Sequence, residues 1–300
     1  MRRTRVDVLR GKSVVAVHAH PDDEAIWTGG ALARLARLGA EVTVVTCTLG
    51  EHGEVIGRPY GNLVAERADQ LGGFRIAELR ESLARLGVRG EFLGAAGKYR
   101  DSGMAGTPAA AHPRAFTASG DDAVDDLVGI LERLRPDLLM TYGPDGGYGH
   151  PDHIRAHQIA HAATRRVPVP GIAWAVTLDS ELQAGLAAIE TIPSGWRRPR
   201  PGEIAAVDRA EVALTLTAGE MAAKAAAMRA HATQLWLADG SVSETNPCAA
   251  YATVRHPGPA AHVFALSNLI AQPLTWREHY AVGCGEIALG GRRWWEDDGR

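Results

Sequence analysis

Ser13-Val14-Val15-Ala16-Val17-His18-Ala19-His20-Pro21-Asp22-Asp23-Glu24 is the stretch that decides the reading of this chain. Its apolar run Val14-Val15-Ala16-Val17 reads as a short buried strand. Directly behind it, His18 to Glu24 pack two imidazoles and three carboxylates into seven residues. Such side chains at the mouth of a buried strand are costly unless they serve a purpose. About halfway along the chain, Tyr148-Gly149-His150-Pro151-Asp152-His153 repeats the same chemistry. Together the two clusters predict a divalent-metal hydrolase.

Outward from this stretch, strand-like and helix-like segments alternate. Residues 24–38 have helical spacing, with Ile26, Leu32, Leu35 and Leu38 near one stripe, and Gly39 ends them. Residues 42–47 read as a second buried strand. Residues 64–86 are helical in pattern, with Gly72-Gly73 as an interruption, and Phe92-Leu93 is a short strand candidate. Residues 121–134 form an amphipathic helix on Val124, Leu127, Val128, Leu131 and Leu134. Pro136 stops it, and 138–141 is the next strand. Pro151 suits the first position of a further helix, running to about Ala163.

This alternation predicts an α/β, Rossmann-like fold, a mainly parallel sheet with helices on both faces. Residues 1–170 are expected to form the catalytic domain. Residues 171–300, where the alternation weakens, are expected to form a smaller α+β portion that packs on it and shapes the substrate cleft. In such folds ligands bind beyond the carboxyl ends of the strands. Both polar clusters follow strands, so they can meet at one sheet edge. Two long loops, 50–62 and 94–120, have the length of functional or disordered segments. Residues 193–201 read as a loop, 218–234 as an Ala-rich helix, and Trp294-Trp295-Glu296-Asp297-Asp298 as a loosely held tail.

Composition narrows the class of protein. The 300 residues are 46% apolar with a net charge of -3, which gives no electrostatic reason to expect nucleic acid or an anionic membrane. Cys47, Cys248 and Cys284 are odd in number and far apart, so no disulfide framework is expected and a reducing cytosol fits. The basic start, residues 1–5, leads straight into a strand rather than an apolar leader segment. No apolar run approaches the roughly 20 residues of a membrane span. A homo-oligomer is compatible with all of this.

His20 and Asp23 lie three apart around Pro21, a spacing that a tight strand-to-helix turn can aim at one point. Zinc takes imidazole nitrogen and carboxylate oxygen, and a catalytic site keeps one position open for water. His153, in the first turn of the helix begun by Pro151, is the natural third ligand. Asp22, between the two ligands, is placed to take a proton from the water. The alternative is that Asp22, Asp23 and Glu24 are only an acidic helix start. His157 and His161 continue the spacing of His153, but a zincin would need Glu directly after the first His, and Ile154 stands there. They read as core or surface histidines. Tyr148 and His150 can donate to a developing oxyanion, or belong only to a glycine turn. Gly29-Gly30 hints weakly at a phosphate cradle, without the dinucleotide fingerprint.

These residues resemble the PIG-L/LmbE family of zinc-dependent N-acetylglucosaminyl deacetylases, on His20-Pro21-Asp22-Asp23-Glu24 and His150-Pro151-Asp152-His153. A closer likeness is to the branch in mycothiol biosynthesis that acts on N-acetylglucosaminyl-inositol. It rests on residues 46–57, 68–75, 100–107, 146–150 and 230–234. The resemblance covers most of the chain, thinning between about 165 and 215 and after 285. It implies hydrolysis of a small amino-sugar amide, with one Zn2+ per subunit on His20, Asp23 and His153. Fe2+ is also permitted by the ligand type. It further implies Asp22 as general base, His150 and Tyr148 as stabilisers of the tetrahedral intermediate, and Arg75, Asp101, Glu54 and Met104 at the sugar. Trp27 departs from the pattern, which carries something small and polar there. Three other readings stay open: an amidase of mycothiol S-conjugates, a deacetylase of another N-acetylglucosaminyl compound, and a non-hydrolytic nucleotide- or phosphate-binding protein.

Overall fold

The computed structural model describes residues 8–296. The basic start at residues 1–5 and the tail beyond 296 lie outside the described residues. In chain order the elements are β1 (Ser13–His18), α1 (Asp23–Trp27), α2 (Gly29–Arg37), β2 (Glu41–Thr46), α3 (Leu71–Leu86), β3 (Arg89–Phe92), α4 (Asp121–Leu134), β4 (Leu138–Tyr142), α5 (Pro151–Arg166), β5 (Gly171–Val176), α6 (Asp179–Ala188), β6 (Ile189–Thr191), β7 (Val212–Thr215), α7 (Ala218–Ala230), β8 (Trp236–Leu237), β9 (Thr253–Val254), β10 (Ala260–Ala265), β11 (Gln272–Thr275) and β12 (Arg277–Gly285).

Seven strands form the main sheet in the order β3-β2-β1-β4-β5-β12-β7. The first five run parallel, while β12 is antiparallel to both β5 and β7. Strand order reverses between β1 and β4, paired in register from Val14↔Leu138 to Ala16↔Met140. That reversal is the switch point where an open α/β sheet leaves a crevice. Alternation along β1 supplies both layers of core. Val14 and Ala16 enter one apolar cluster with Leu32, Leu83 and Met228, while Val15 and Val17 enter another with Leu127, Leu131 and Ile159. All four β1 residues are fully buried, which fixes the strand whose end carries the site. Beyond residue 170, β5, β12 and β7 extend the main sheet. The remaining strands form a three-stranded sheet, β11-β10-β8, and a pair, β6-β9.

Several elements differ from the sequence expectation for physical reasons. The helix expected over 24–38 is broken in two at Thr28, whose hydroxyl donates to the Glu24 carbonyl at 3.1 Å and meets His18 Nε2 at 2.9 Å. The second piece restarts because the Glu278 carboxylate accepts from the Gly30 and Ala31 amides at 2.7 and 2.8 Å. The chain's own carboxylate thereby fills the place that Gly29-Gly30 suggested for phosphate. The helix expected from residue 64 begins only at Leu71, after Asp69 takes a positive φ of 50°. Gly72 lies inside that helix rather than interrupting it. A Cβ there would come within 2.7 Å of Glu51 Cγ, so the glycine permits close packing on the loop after β2. The 218–234 helix ends at Ala230, leaving His231 as its cap.

Trp294 is not part of a loose tail. It is 1% exposed, its ring meets Tyr280 edge-on at 5.8 Å, and its Nε1 donates to the Ile287 carbonyl at 2.9 Å. Trp294→Ala should therefore cost about 3–5 kcal/mol of stability, the usual range for removing a buried aromatic. Urea unfolding measures this, and a loss under about 1 kcal/mol, the level of ordinary surface changes, would return Trp294 to the surface.

Candidate active site

Past His18 the chain crosses the carboxyl edge of the sheet at the switch point. The Ala19 amide donates to the Tyr142 hydroxyl at 2.9 Å, and that hydroxyl donates to Asp23 Oδ2 at 2.6 Å. Tyr142 is the last residue of β4, so it ties the two strand ends together at the centre of the site. Asp23 Oδ2 also accepts the His20 amide at 2.9 Å. Two imidazole nitrogens converge on the same oxygen, His20 Nδ1 at 3.3 Å and His153 Nε2 at 3.4 Å. Burial alone would push the Asp23 carboxyl up, but the His153 and His20 imidazoles hold it well below the usual carboxylate range.

Each imidazole has its second nitrogen committed elsewhere. His153 Nδ1 faces the Gly146 carbonyl at 3.0 Å, which makes that nitrogen the donor and leaves Nε2 as the atom a cation would take. That Nε2 is buried with no hydrogen-bond partner. An orphaned buried polar atom costs about 1–3 kcal/mol. His20 Nε2 meets Asp152 Oδ2 at 3.2 Å, the carboxylate–imidazole arrangement common behind metal-binding histidines. Two imidazole nitrogens and a carboxylate oxygen, one nitrogen lacking any partner, fit a divalent cation. Ligand atoms lie within 4.8 Å of one another in two sets, His20, His150 and His153, and His20, Asp101 and Asp152, neither of which includes Asp23. Asp101 is already committed, accepting the His52 amide at 3.1 Å and the Gly103 amide at 2.7 Å.

Asp22 caps α1 in position only. Its φ of 107° is unusual for a residue with a side chain, and that side chain makes no capping hydrogen bond. Its amide donates instead to Glu24 Oε2 at 3.0 Å, and its carboxylate meets Arg75 Nη2 at 3.1 Å. Burial raises the Asp22 carboxyl to about 6, with Arg75 pulling against it and Asp23 adding to the rise. Arg75 also donates to the Gly50 carbonyl at 2.7 Å and to the Pro21 carbonyl. His150 caps α5, its Nδ1 accepting the Asp152 amide at 3.2 Å. A ring that accepts at Nδ1 is neutral and carries its proton on Nε2. Tyr148 stands half-exposed in a run of positive-φ glycines, Gly146, Gly147 and Gly149, with its ring edge-on to His153 at 5.0 Å.

His20, Asp22, Asp23, Tyr148 and His150 all line one cleft of about 580 Å³, together with Arg75, Asp101, Glu54 and Met104. The size suits a small molecule. His153 lies behind this wall, fully buried. The lining also includes apolar Leu178, Ile204, Phe264 and Ile270 beside polar Glu181, Asn268 and Arg277. Trp27 also lines the cleft, its ring pressed so close to Gly147 that a Cβ there would come within 2.5 Å. His157 and His161 stay out of the cluster: His157 Nδ1 meets the Tyr142 carbonyl and His161 Nε2 accepts from Trp174, both at 3.0 Å. Burial pushes the Cys47 thiol up, which removes it as a nucleophile. Sequence reasoning assigned no role to Tyr142, Asp152, Glu24 or His231. Asp152 and Glu24 sat inside the quoted motifs and His231 inside the 230–234 stretch. Tyr142 carried no signal beyond its place at a strand end.

Fold and site together define a hydrolase of Rossmann-like α/β fold with a candidate metal centre at the sheet's switch point. A family profile described as PIG-L, GlcNAc-PI de-N-acetylase, matches residues 15–164. A protein of Corynebacterium diphtheriae named 1D-myo-inositol 2-acetamido-2-deoxy-alpha-D-glucopyranoside deacetylase is 64% identical over 277 residues, 92% of this chain and 94% of its own. One of the same name from Rhodococcus erythropolis is 45% identical over 304 residues, 96% of this chain and 95% of its own. The solved zinc-inhibited form of teicoplanin deacetylase Orf2 superposes with a TM-score of 0.50 at 19% identity, over 74% of this chain and 84% of that one, a likeness of fold alone. The chain belongs to the PIG-L family of deacetylases.

The partner of His20 can be tested directly. Asp152→Asn should weaken divalent-metal binding by about 10- to 100-fold, as loss of such partners typically does, while the far-UV spectrum stays native. Competition against a chromogenic chelator reads the affinity. An unchanged constant would mean that Asp152 does not orient His20.

Proposed function

We propose that this protein removes the N-acetyl group from N-acetylglucosaminyl-inositol, releasing acetate and glucosaminyl-inositol. The observation that carries the hydrolytic reading is His153 Nε2, buried, unpartnered and converging with His20 Nδ1 on one oxygen of Asp23. The substrate follows from relatives of that printed activity at 64% and 45% identity over nearly their whole length. The cluster would hold a divalent cation, zinc or ferrous iron, on His20, Asp23 and His153. When bound, that cation supplies a positive charge that acidifies water and polarises an amide carbonyl.

The remaining steps belong to the chain's own residues. Asp22 lines the cleft outside the cation-holding set, and it accepts the proton as water oxygen attacks the acetyl carbon. Arg75 holds one of its oxygens and so orients the other. His150, neutral and protonated at Nε2, donates to the oxyanion of the tetrahedral intermediate, and the Tyr148 hydroxyl does the same from the mouth. A neutral His150 is a poor acid, so the proton delivered to the departing amine comes back from Asp22. Arg75, Asp101, Glu54 and Met104 stand on the wall where the sugar would lie. Three free cysteines suit the cytosol as the place of work.

Asp22→Ala should keep its metal and lose about 100- to 10,000-fold in kcat, the span typical of a general acid–base group. Native turnover in that variant would refute the assignment. Apolar Leu178, Ile204, Phe264 and Ile270 in the lining would receive an apolar substituent, which favours a mycothiol S-conjugate amidase as the second reading. Acetate release from N-acetylglucosaminyl-inositol should give the larger kcat/KM when both substrates are assayed on the metal-loaded protein. The opposite ranking would replace the deacetylase reading by the amidase one.

A further inference from the structure

Behind the cleft, three segments far apart in the chain meet on one carboxylate that does not face the substrate side. Glu24 is fully buried. Its Oε2 accepts the Asp22 amide at 3.0 Å, while its Oε1 accepts His231 Nε2 at 2.6 Å and the Ser82 hydroxyl. His231 is the cap of α7 and is likewise fully buried. Glu24, Ser82 and His231 are all absent from the cleft lining. The residues after His231 are anchored too. Thr233 donates its amide and its hydroxyl to Glu78 of α3 at 2.8 and 2.6 Å, and Gln234 donates to the Glu54 carbonyl at 2.9 Å.

Stability alone does not account for this arrangement. A buried carboxylate–imidazole pair is weak evidence for stabilisation, since desolvation offsets much of the attraction. What the pair does hold is the backbone of Asp22. An Asp at a helix N-cap ordinarily sits in the β region and spends its carboxylate on the amides of the first turn. Here Asp22 has φ 107° and makes no such bond. Sparsely populated backbone conformations cost about 1–3 kcal/mol and persist only when their surroundings impose them. The hydrogen bond from the Asp22 amide to Glu24 Oε2 imposes this one from behind, while Arg75 holds the Pro21 carbonyl and the Asp22 carboxylate. Released from it, Asp22 would relax toward an ordinary cap, and its carboxylate would turn onto the α1 amides and away from the cleft.

We propose that His231 is a positioning residue for the reaction: through Glu24 it locks the Asp22 backbone so that the Asp22 carboxylate faces the scissile amide instead of capping α1. The proposal rests on the reading of Asp22 as the base. It also gives the 230–234 stretch, distant from the metal cluster in sequence, a place in the chemistry.

The test is a double-mutant cycle on the metal-loaded enzyme, with His231→Ala and His231→Gln made in the native and Asp22→Asn backgrounds. His231→Ala should keep its metal content and KM and lose about 10- to 100-fold in kcat, the cost of misplacing a reacting group by about an ångström. His231→Gln, whose amide can still donate to Glu24, should recover most of that loss. In the Asp22→Asn background His231→Ala should cost nothing further. If His231→Ala does not fold, Ser82→Ala removes another donor to the same Glu24 oxygen and should show a smaller loss with the same dependence on Asp22. An unchanged kcat, a loss that persists in the Asp22→Asn background, or a loss carried by KM or metal content would overturn the positioning role. Native activity in Asp22→Asn itself would overturn the base reading, and the positioning role with it.

Discussion

One oxygen of one carboxylate organises this protein. Asp23 Oδ2 lies within 3.4 Å of nitrogens from two imidazoles, and it also accepts the Tyr142 hydroxyl and the His20 amide. None of these groups is positioned by a flexible segment. His20 follows β1, Tyr142 ends β4, and His153 sits in the first turn of α5. The β1–β4 ladder sets the spacing of the two strand ends, and apolar layers on both faces of the sheet hold that ladder rigid. The switch point is thus the fold's way of bringing two short polar motifs to one place, without either motif having to be long.

Three acids in a row then acquire three different lives from their surroundings. Asp23, between two imidazoles, is held well below the usual range despite its burial. Asp22, buried one residue earlier with Arg75 as the chief group that stabilises its charge, is pushed to about 6, where a group can both take and return a proton. Glu24 turns away from the cleft. Burial would raise it, but the His231 imidazole beside it holds it below its ordinary value. Local sequence would make all three the acidic first turn of a helix. Long-range partners on α3, α5 and α7 separate them into three environments: Asp23 between two imidazoles, Asp22 beside Arg75 on the cleft, and Glu24 turned onto His231.

This division marks what could be read from the sequence. β1, α4, β4 and the start of α5 were legible because hydrophobic period and a well-placed proline are local signals, and the convergence of His20, Asp23 and His153 followed from two strand-terminal motifs and the ligand-binding edge of the fold. The break at Thr28, the restart of α2 on Glu278, the burial of Trp294 and the hold of His231 on Glu24 were not legible. Each depends on a partner brought close only by the folded chain: 248 residues separate Gly30 from Glu278, and 207 separate Glu24 from His231. The antiparallel insertion of β12 between β5 and β7 was hidden for the same reason, since nothing near Arg277–Gly285 specifies its neighbours.

Anomalous diffraction from crystals of the protein loaded with one equivalent of zinc tests the central claim most directly. A single strong peak should appear within coordination distance, about 2.0–2.2 Å, of His20 Nδ1, an Asp23 carboxylate oxygen and His153 Nε2 together. A peak that leaves His153 Nε2 uncoordinated, in a crystal of active protein, would contradict the account.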